Sequence, residues 1–402
     1  MEVPSDHNPF PILGCPNEVL RIIMEKASES EPLSPSNDPN SLALPYYGDL
    51  ISLVLVCHRF KEIATRTLYS SICLSADEYR DDGGNNRLSN SAQVVRLHQT
   101  LRENIELRRY CTRFILVSRR NPRQGGPVES LSLPIDQYGD RPPHQLSTPW
   151  AKTFASIIVD CTKWLFNTRI LVISGHAHGT CLPELGDITY RVLSCAKASM
   201  LRLERIEILK DISYHRDIMT LYDMKLGLSG GCSSLKHLII RRRVRIPSRP
   251  PRSSVHSHGR LHKSNPRSGF SLSSFALINS SDHPNTVKDF VAWLEDLQHF
   301  TLRWDHEFVF SGRKDPQWSL ALVGDILESH RDSIKSIKLG KMSQPGLGNF
   351  DASNFPNLET LTMHHEDLRG VDISNCLQLQ APKLHDVVIT TDDIEEEMFY
   401  NA

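Results

Sequence analysis

The feature that most constrains the fold is a recurring pair of segments, an amphipathic helical stretch followed closely by a short β-prone run. Residues 94–107 place Val94, Leu97, Leu101 and Ile105 on one helical stripe, and Arg113–Ser118 (RFILVS) follows as a strand. The pattern returns as 152–164 before 169–174, as 287–294 before 297–302, and as 320–329 before 334–339. Helix alternating with strand points to a mixed α/β fold with parallel strands, because parallel neighbours need a crossover between them.

The strand segments share a spaced apolar triplet. It occurs as Leu203/Ile206/Ile208, Leu235/Leu238/Ile240, Leu272/Phe275/Leu277, Leu297/Phe300/Leu302, Ile334/Ile337/Leu339, Leu358/Leu361/Met363 and Leu384/Val387/Ile389. In a strand, positions two apart share a face, so the last two members of each triplet are expected in one core. The first member is expected to close the turn leading into the strand. Pro356-Asn-Leu358 and Pro382-Lys-Leu384 put proline at the same offset before two of these strands.

Residues 10–75 differ in kind. Pro16 opens a helical stretch in which Val19, Leu20, Ile23 and Met24 make one apolar stripe. Residues 28–48 are polar and turn-rich, and read as an insertion loop. The helical pattern resumes with Asp49 as a plausible N-cap and Leu50, Leu53, Val54, Cys57, Phe60, Ile63 and Ala64 along one face. Such a small cluster would want a partner over its leftover apolar surface.

These residues resemble the F-box. The match rests on Leu13, Pro16, Glu18, Val19, Leu20 and Ile23, then Leu50, Leu53, Val56, Cys57, Arg59, Phe60, Ile63 and Ala64. Gly14-Cys15 stands where the family usually has leucine before Pro16. The triplets with their downstream positions, such as Leu358/Leu361/Met363/Glu366/Leu368, are similar to the degenerate leucine-rich repeats that follow the F-box in fungal proteins. Glu366 and Asp392 occupy the repeat's asparagine-ladder position.

The resemblance implies a substrate-recognition adaptor of a cullin–RING ubiquitin ligase, itself non-catalytic. Leu13, Pro16, Glu18, Val19, Leu20, Ile23, Leu50, Leu53, Val56, Cys57 and Phe60 would bind a Skp-type adaptor, and the repeats would bind an unknown target protein. Leu20, Leu50 and Leu53 would each contribute roughly 1.5–3 kcal/mol if buried at that interface. The implied layout is a flexible 1–9, an F-box over 10–75, a linker with a connecting helix over 76–108, and an irregular leucine-rich-repeat-like solenoid over 109–402. Other readings of the same residues are a helical cap on a generic parallel α/β domain, an F-box or repeat scaffold acting outside a ligase, and an enzyme with an unrecognised site.

Composition narrows the partners. A net charge of −1 over 402 residues does not suit a nucleic-acid or anionic-membrane binder as a whole. No apolar run reaches the roughly 20 residues that span a bilayer, and the N-terminus lacks a signal-peptide pattern, so the cytoplasm or nucleus is expected. The nine cysteines include no Cys-x-x-Cys pair and read as reduced core residues. Residues 241–267 carry eight Arg and one Lys with no acid. They read as a disordered basic insertion over 241–270, with Arg241, Arg242, Arg243 and Arg245 as a possible nuclear-localisation patch. No cofactor or metal site is expected. His176, His178 and Cys181 are poorly spaced for zinc, His364 and His365 should point to opposite faces, and the acidic 392–397 lacks a loop glycine for calcium.

Overall fold

The structure is a computed structural model and describes residues 15–28, 48–75, 90–118, 149–176, 184–212, 221–229, 232–244, 270–280, 282–304, 318–369 and 379–391. Three helices come first: α1 (Asn17–Ser28), α2 (Gly48–Val54) and α3 (His58–Ser70). Strand β1 (Ser71–Ser75) follows α3 directly. Next come α4 (Asn90–Glu103), the short α5 (Ile105–Arg108) and β2 (Arg113–Ser118), then α6 (Pro149–Trp164), β3 (Ile170–His176), α7 (Glu184–Ser199) and β4 (Arg205–Ile212). The chain continues through α8 (Leu221–Leu228), β5 (His237–Val244), β6 (Phe270–Ser271), β7 (Ser274–Ile278), α9 (Pro284–Val291), β8 (Leu294–Glu295) and β9 (His299–Arg303). It ends with α10 (Leu320–Leu327), β10 (Ser336–Leu339), β11 (Thr360–His364) and β12 (Asp386–Thr390).

The result is a mixed α/β structure with an open, parallel sheet of ten strands. Strand order is β1-β2-β3-β4-β5-β7-β9-β10-β11-β12, so each strand lies beside the one before it in the chain; β6 and β8 form a separate two-stranded piece. Register turns the triplets into rows. One row runs Ile72, Phe114, Leu171, Ile206, Leu238, Phe275, Phe300, Ile337, Leu361, Val387. A second row, two residues on, includes Ile208, Ile240, Leu277, Leu302 and Met363. Both rows pack with the apolar faces of α4 and α6–α10 in one continuous core. The first triplet members Leu203, Leu235, Leu272, Leu297, Ile334 and Leu358 are buried at the turns beneath. Val387 and Ile389 continue the rows but are half-exposed, because no described element packs over them.

Side chains at five of the turns tie a strand to the unit before it. Thr112 Oγ1 donates to the Ser70 carbonyl, Ser234 Oγ to Leu203, Ser273 Oγ to Lys236, Ser333 Oγ to Leu297 and Asn357 Nδ2 to Asp332, at 2.7–3.2 Å. Each such bond contributes about 1 kcal/mol net; the Ser70 and Lys236 carbonyls also accept backbone N–H groups, from Thr112 and Ser274.

Several expectations shift. The helical stripe of 94–107 breaks at Asn104, so Ile105 is exposed rather than buried with Val94 and Leu101. Helices α7 and α8 were not foreseen. The first helix starts at Asn17, and Pro16 supplies the carbonyl that accepts from Leu20 N–H. Helix α2 starts at Gly48, which puts Asp49 in the first turn rather than at the cap. Arg241, Arg242 and Arg243 lie within β5, paired with β4, so they are not part of a disordered insertion. Strand β1 pairs with β2 at one edge of the ten-stranded sheet, and α4 contributes Val94 and Leu101 to its core. His364 and His365 do not diverge. The strand ends at His364, a 3-10 turn follows, and the rings lie 4.5 Å apart.

At the ladder position Asp367, not Glu366, turns inward. It is fully buried and accepts from Met342 N–H of the preceding unit, whereas Glu366 pairs with Lys341 at the surface. Burial pushes the Asp367 carboxyl up to about 6, Glu366 adds to the rise, and the Met342 N–H, Lys341 and His365 oppose it. The folded state therefore holds this proton more tightly than the unfolded chain. The stabilisation is full below the unfolded carboxylate range and is lost as pH rises through about 6. Asp367→Asn keeps an acceptor and removes the titration. Between pH 4.5 and 7.5 the wild-type chain should lose about 2 kcal/mol more stability than Asp367→Asn, as read by urea unfolding. Identical pH profiles for the two proteins would refute this.

Candidate functional site

The three N-terminal helices build a small core of their own. Leu20 and Met24 of α1, Leu50 of α2 and Phe60 and Ala64 of α3 are buried together, with Leu53, Val54, Cys57, Ile63 and Leu68 half-buried around them. Cys57 caps α3, its sulfur accepting from Phe60 N–H at 3.5 Å. Arg59 closes the cluster: its Nε donates to Asn17 Oδ1 at 2.7 Å and its Nη2 to the Cys15 carbonyl. The Cys57-x-Arg59-Phe60 run is thus a cap, a clasp and a core plug.

This packing redistributes the residues read as adaptor-binding. Leu20, Leu50 and Phe60 face inward at 1%, 0% and 3% exposure, in the cluster's own core. Leu53 and Cys57 are half-buried, Pro16 and Glu18 are exposed, and Leu13 lies outside the described residues. Val19, Ile23 and Val56 are exposed at 42%, 43% and 59%. They are joined by three residues that the sequence reading missed: Ile22 at 53%, Ile51 at 53% and Leu55 at 81%. A signal for them existed. At about 100° per residue, the mean direction of Leu20 and Met24 lies about 120° from the mean direction of Val19, Ile22 and Ile23. The apolar arc of α1 is too wide for one buried stripe.

The cluster is joined firmly to the sheet. Helix α3 runs into β1 with no residue between them. Thr112 N–H donates to the Ser70 carbonyl at 2.8 Å, and the Arg66 guanidinium lies 5.7 Å from the Tyr110 ring centroid.

The sheet has a second face, opposite the helices. At the β2–β4 end Ile115, Val117 and Val172 form a small apolar cluster on it. Further along, Arg205, His237, Ser274, His299, Ser336, Thr360 and Asp386 stand in one register row. Glu207 and Lys338 lie in the next row, with Arg205 Nε 2.7 Å from Glu207 Oε1. Partial burial lowers the His237 imidazole, with Arg205, His299 and Lys236 adding to the effect against Glu204. His299 is lowered likewise by burial, then by Lys335 and Lys338, against Glu359.

For chemistry the described residues offer little. The buried thiols of Cys111 and Cys161 are pushed up to about 12, the wrong direction for a nucleophile. Among the described residues no three His, Cys, Asp or Glu side chains could share a metal ion. No described helix is long and apolar enough to cross a membrane. In open α/β sheets a ligand crevice forms where strand order reverses, and among the described strands the order never reverses. An open cleft of about 470 Å³ borders Ser273, Asp296, Asp332 and Lys335 at the turns, with no Cys, His or Tyr in its lining. Arg245, His178, Cys181 and residues 392–397 lie outside the described residues. No protein-family model matches the chain, and no curated protein matches it.

Proposed function

We propose that this chain is a non-catalytic docking adaptor. The helical cluster binds a Skp-type adaptor of a cullin–RING ubiquitin ligase, and the sheet portion, an irregular leucine-rich-repeat-like solenoid, presents a target protein to it. The observation that carries the first half is the group of six aliphatic side chains exposed on α1, α2 and the turn after α2: Val19, Ile22, Ile23, Ile51, Leu55 and Val56. Scattered exposed aliphatics are ordinary, but six on two packed helices and the turn that follows form a patch that favours association. The sequential parallel strands and the two apolar rows support the solenoid reading.

In this reading the ligase's other subunits perform ubiquitin transfer and this chain contributes proximity. The direct junction of α3 with β1 would hold the target at a fixed orientation to the ligase. The test is co-elution of the full chain with a purified Skp-type adaptor. A stoichiometric complex in which α1 and α2 gain protection from hydrogen exchange is expected. No complex at tens of micromolar, or protection confined to the sheet, would overturn the reading. Recovery of the adaptor without cullin and RING subunits from cells would favour a scaffold outside the ligase.

A further inference from the structure

The β12 edge of the sheet departs from the rule that its neighbours keep. In β11 the apolar pair Leu361 and Met363 is fully buried, whereas Val387 and Ile389, their register partners on β12, are exposed at 36% and 38%. In the three units before β12, residues that follow the strand join the core. They are Trp318 and Leu320 after β9, Met342 and Leu347 after β10, and Leu368 and Leu379 after β11. The residues that follow β12 repeat this pattern in sequence. Counted from the register pair Met363 and Ile389, the run His365-Glu-Asp-Leu368 is matched by Thr391-Asp-Asp-Ile394. Leu368, five residues after Met363, is buried, and Ile394 stands five residues after Ile389.

We propose that residues 391–400 of this chain dock on β12 as a terminal cap, with Ile394 and Met398 over the Ile389 and Val387 side chains. Residues 392–400 lie outside the described residues; register and reach define their seat. Four residues of helix rise about 6 Å and two residues of strand about 6.6 Å. Side chains four apart on a returning helical turn therefore match side chains two apart on the strand. Asp392 and Asp393 suit the start of such a turn, where a carboxylate accepts free backbone N–H groups. On that turn Glu396 points away from the strand and into water. Two magnitudes favour this occupant. The segment begins directly after Thr390, so its effective concentration at the face is on the order of millimolar. A second copy pairing through β12 alone would bring five residues a side, against roughly 20–30 in a stable interface. The cap's carboxylates also discourage a foreign strand from adding to this edge. The cap forms whether or not the helical cluster binds an adaptor.

The test is hydrogen exchange on the full chain, read by mass spectrometry over residues 384–400. In the wild-type chain, residues 392–400 are expected to exchange at least about tenfold more slowly than a free peptide of the same sequence. Ile394→Asp/Met398→Asp should erase that protection and speed exchange in β12 about tenfold, while Glu396→Ala leaves both unchanged. Circular dichroism and unchanged exchange in β9 and β10 establish that the variants are folded. Free-peptide exchange across 392–400 in the wild-type chain would overturn the proposal, as would β12 protection that persists in the double variant. Protection that rises with protein concentration would assign the face to a second copy instead, and the cap would be wrong.

Discussion

Replacing Ile23 and Leu55 together with aspartate is expected to abolish capture of a Skp-type adaptor while leaving the chain folded. Both side chains are largely exposed, at 43% and 81%, so a carboxylate there meets water in the free protein. Surface substitutions of this kind change stability by about 0.5 kcal/mol. In a complex that covers the patch the balance differs. Each substitution forfeits about 2 kcal/mol of apolar burial and adds the cost of an uncompensated charge. Affinity should fall more than about a hundredfold. The informative contrast is Leu50→Ala. That residue is 0% exposed inside the cluster's own core, and its truncation should cost about 2–5 kcal/mol of cluster stability. Leu50→Ala should therefore lose capture together with helical circular dichroism, and Ile23→Asp/Leu55→Asp should lose capture alone. Retained capture by the aspartate double variant would remove the docking patch from consideration.

Phe275→Ala is expected to be the most damaging single change in the sheet. The ring is fully buried near the middle of the strand series, 5.1 Å from Phe290 and 6.2 Å from Phe300. Phe290 in turn lies 5.6 Å from Trp293, and Trp293 stacks on Phe270 at 5.4 Å. Removing the ring opens a cavity that rigid neighbours on both sides cannot fill, at a cost of about 3–5 kcal/mol. Because each strand leans only on the next, the loss should spread to the adjoining units rather than stay local. Denaturant unfolding followed by circular dichroism and by the summed fluorescence of the five tryptophans reads it. A cost under about 1 kcal/mol would mean that this core is far looser than its geometry implies.

The two faces of the sheet differ in how far they could be foreseen. From β4 to β11 the inward residues were legible strand by strand, because alternation of period two leaves one choice of face once a core is needed; Val387 and Ile389 of β12, expected in the same core, are exposed at 36% and 38%. The pairs Ile206/Ile208, Leu238/Ile240, Phe275/Leu277, Phe300/Leu302, Ile337/Leu339 and Leu361/Met363 all stand where that alternation puts them. The helical cluster was less legible. Val19, Leu20, Ile23 and Met24 read as one stripe, yet Leu20 and Met24 turn inward while Val19 and Ile23 turn out.

What the sequence determined by itself was the local alternation: which side of each strand from β4 to β11 is apolar. That property arises from backbone geometry and neighbours a few residues away. Only the tertiary structure decided which arc of α1 is buried, that Asp367 rather than Glu366 turns inward, and that Arg205, His237 and His299 share a row. Each depends on a partner from a distant segment, α3 against α1, the Met342 loop against Asp367, β4 through β9 in register, and no local period encodes which distant groups will meet.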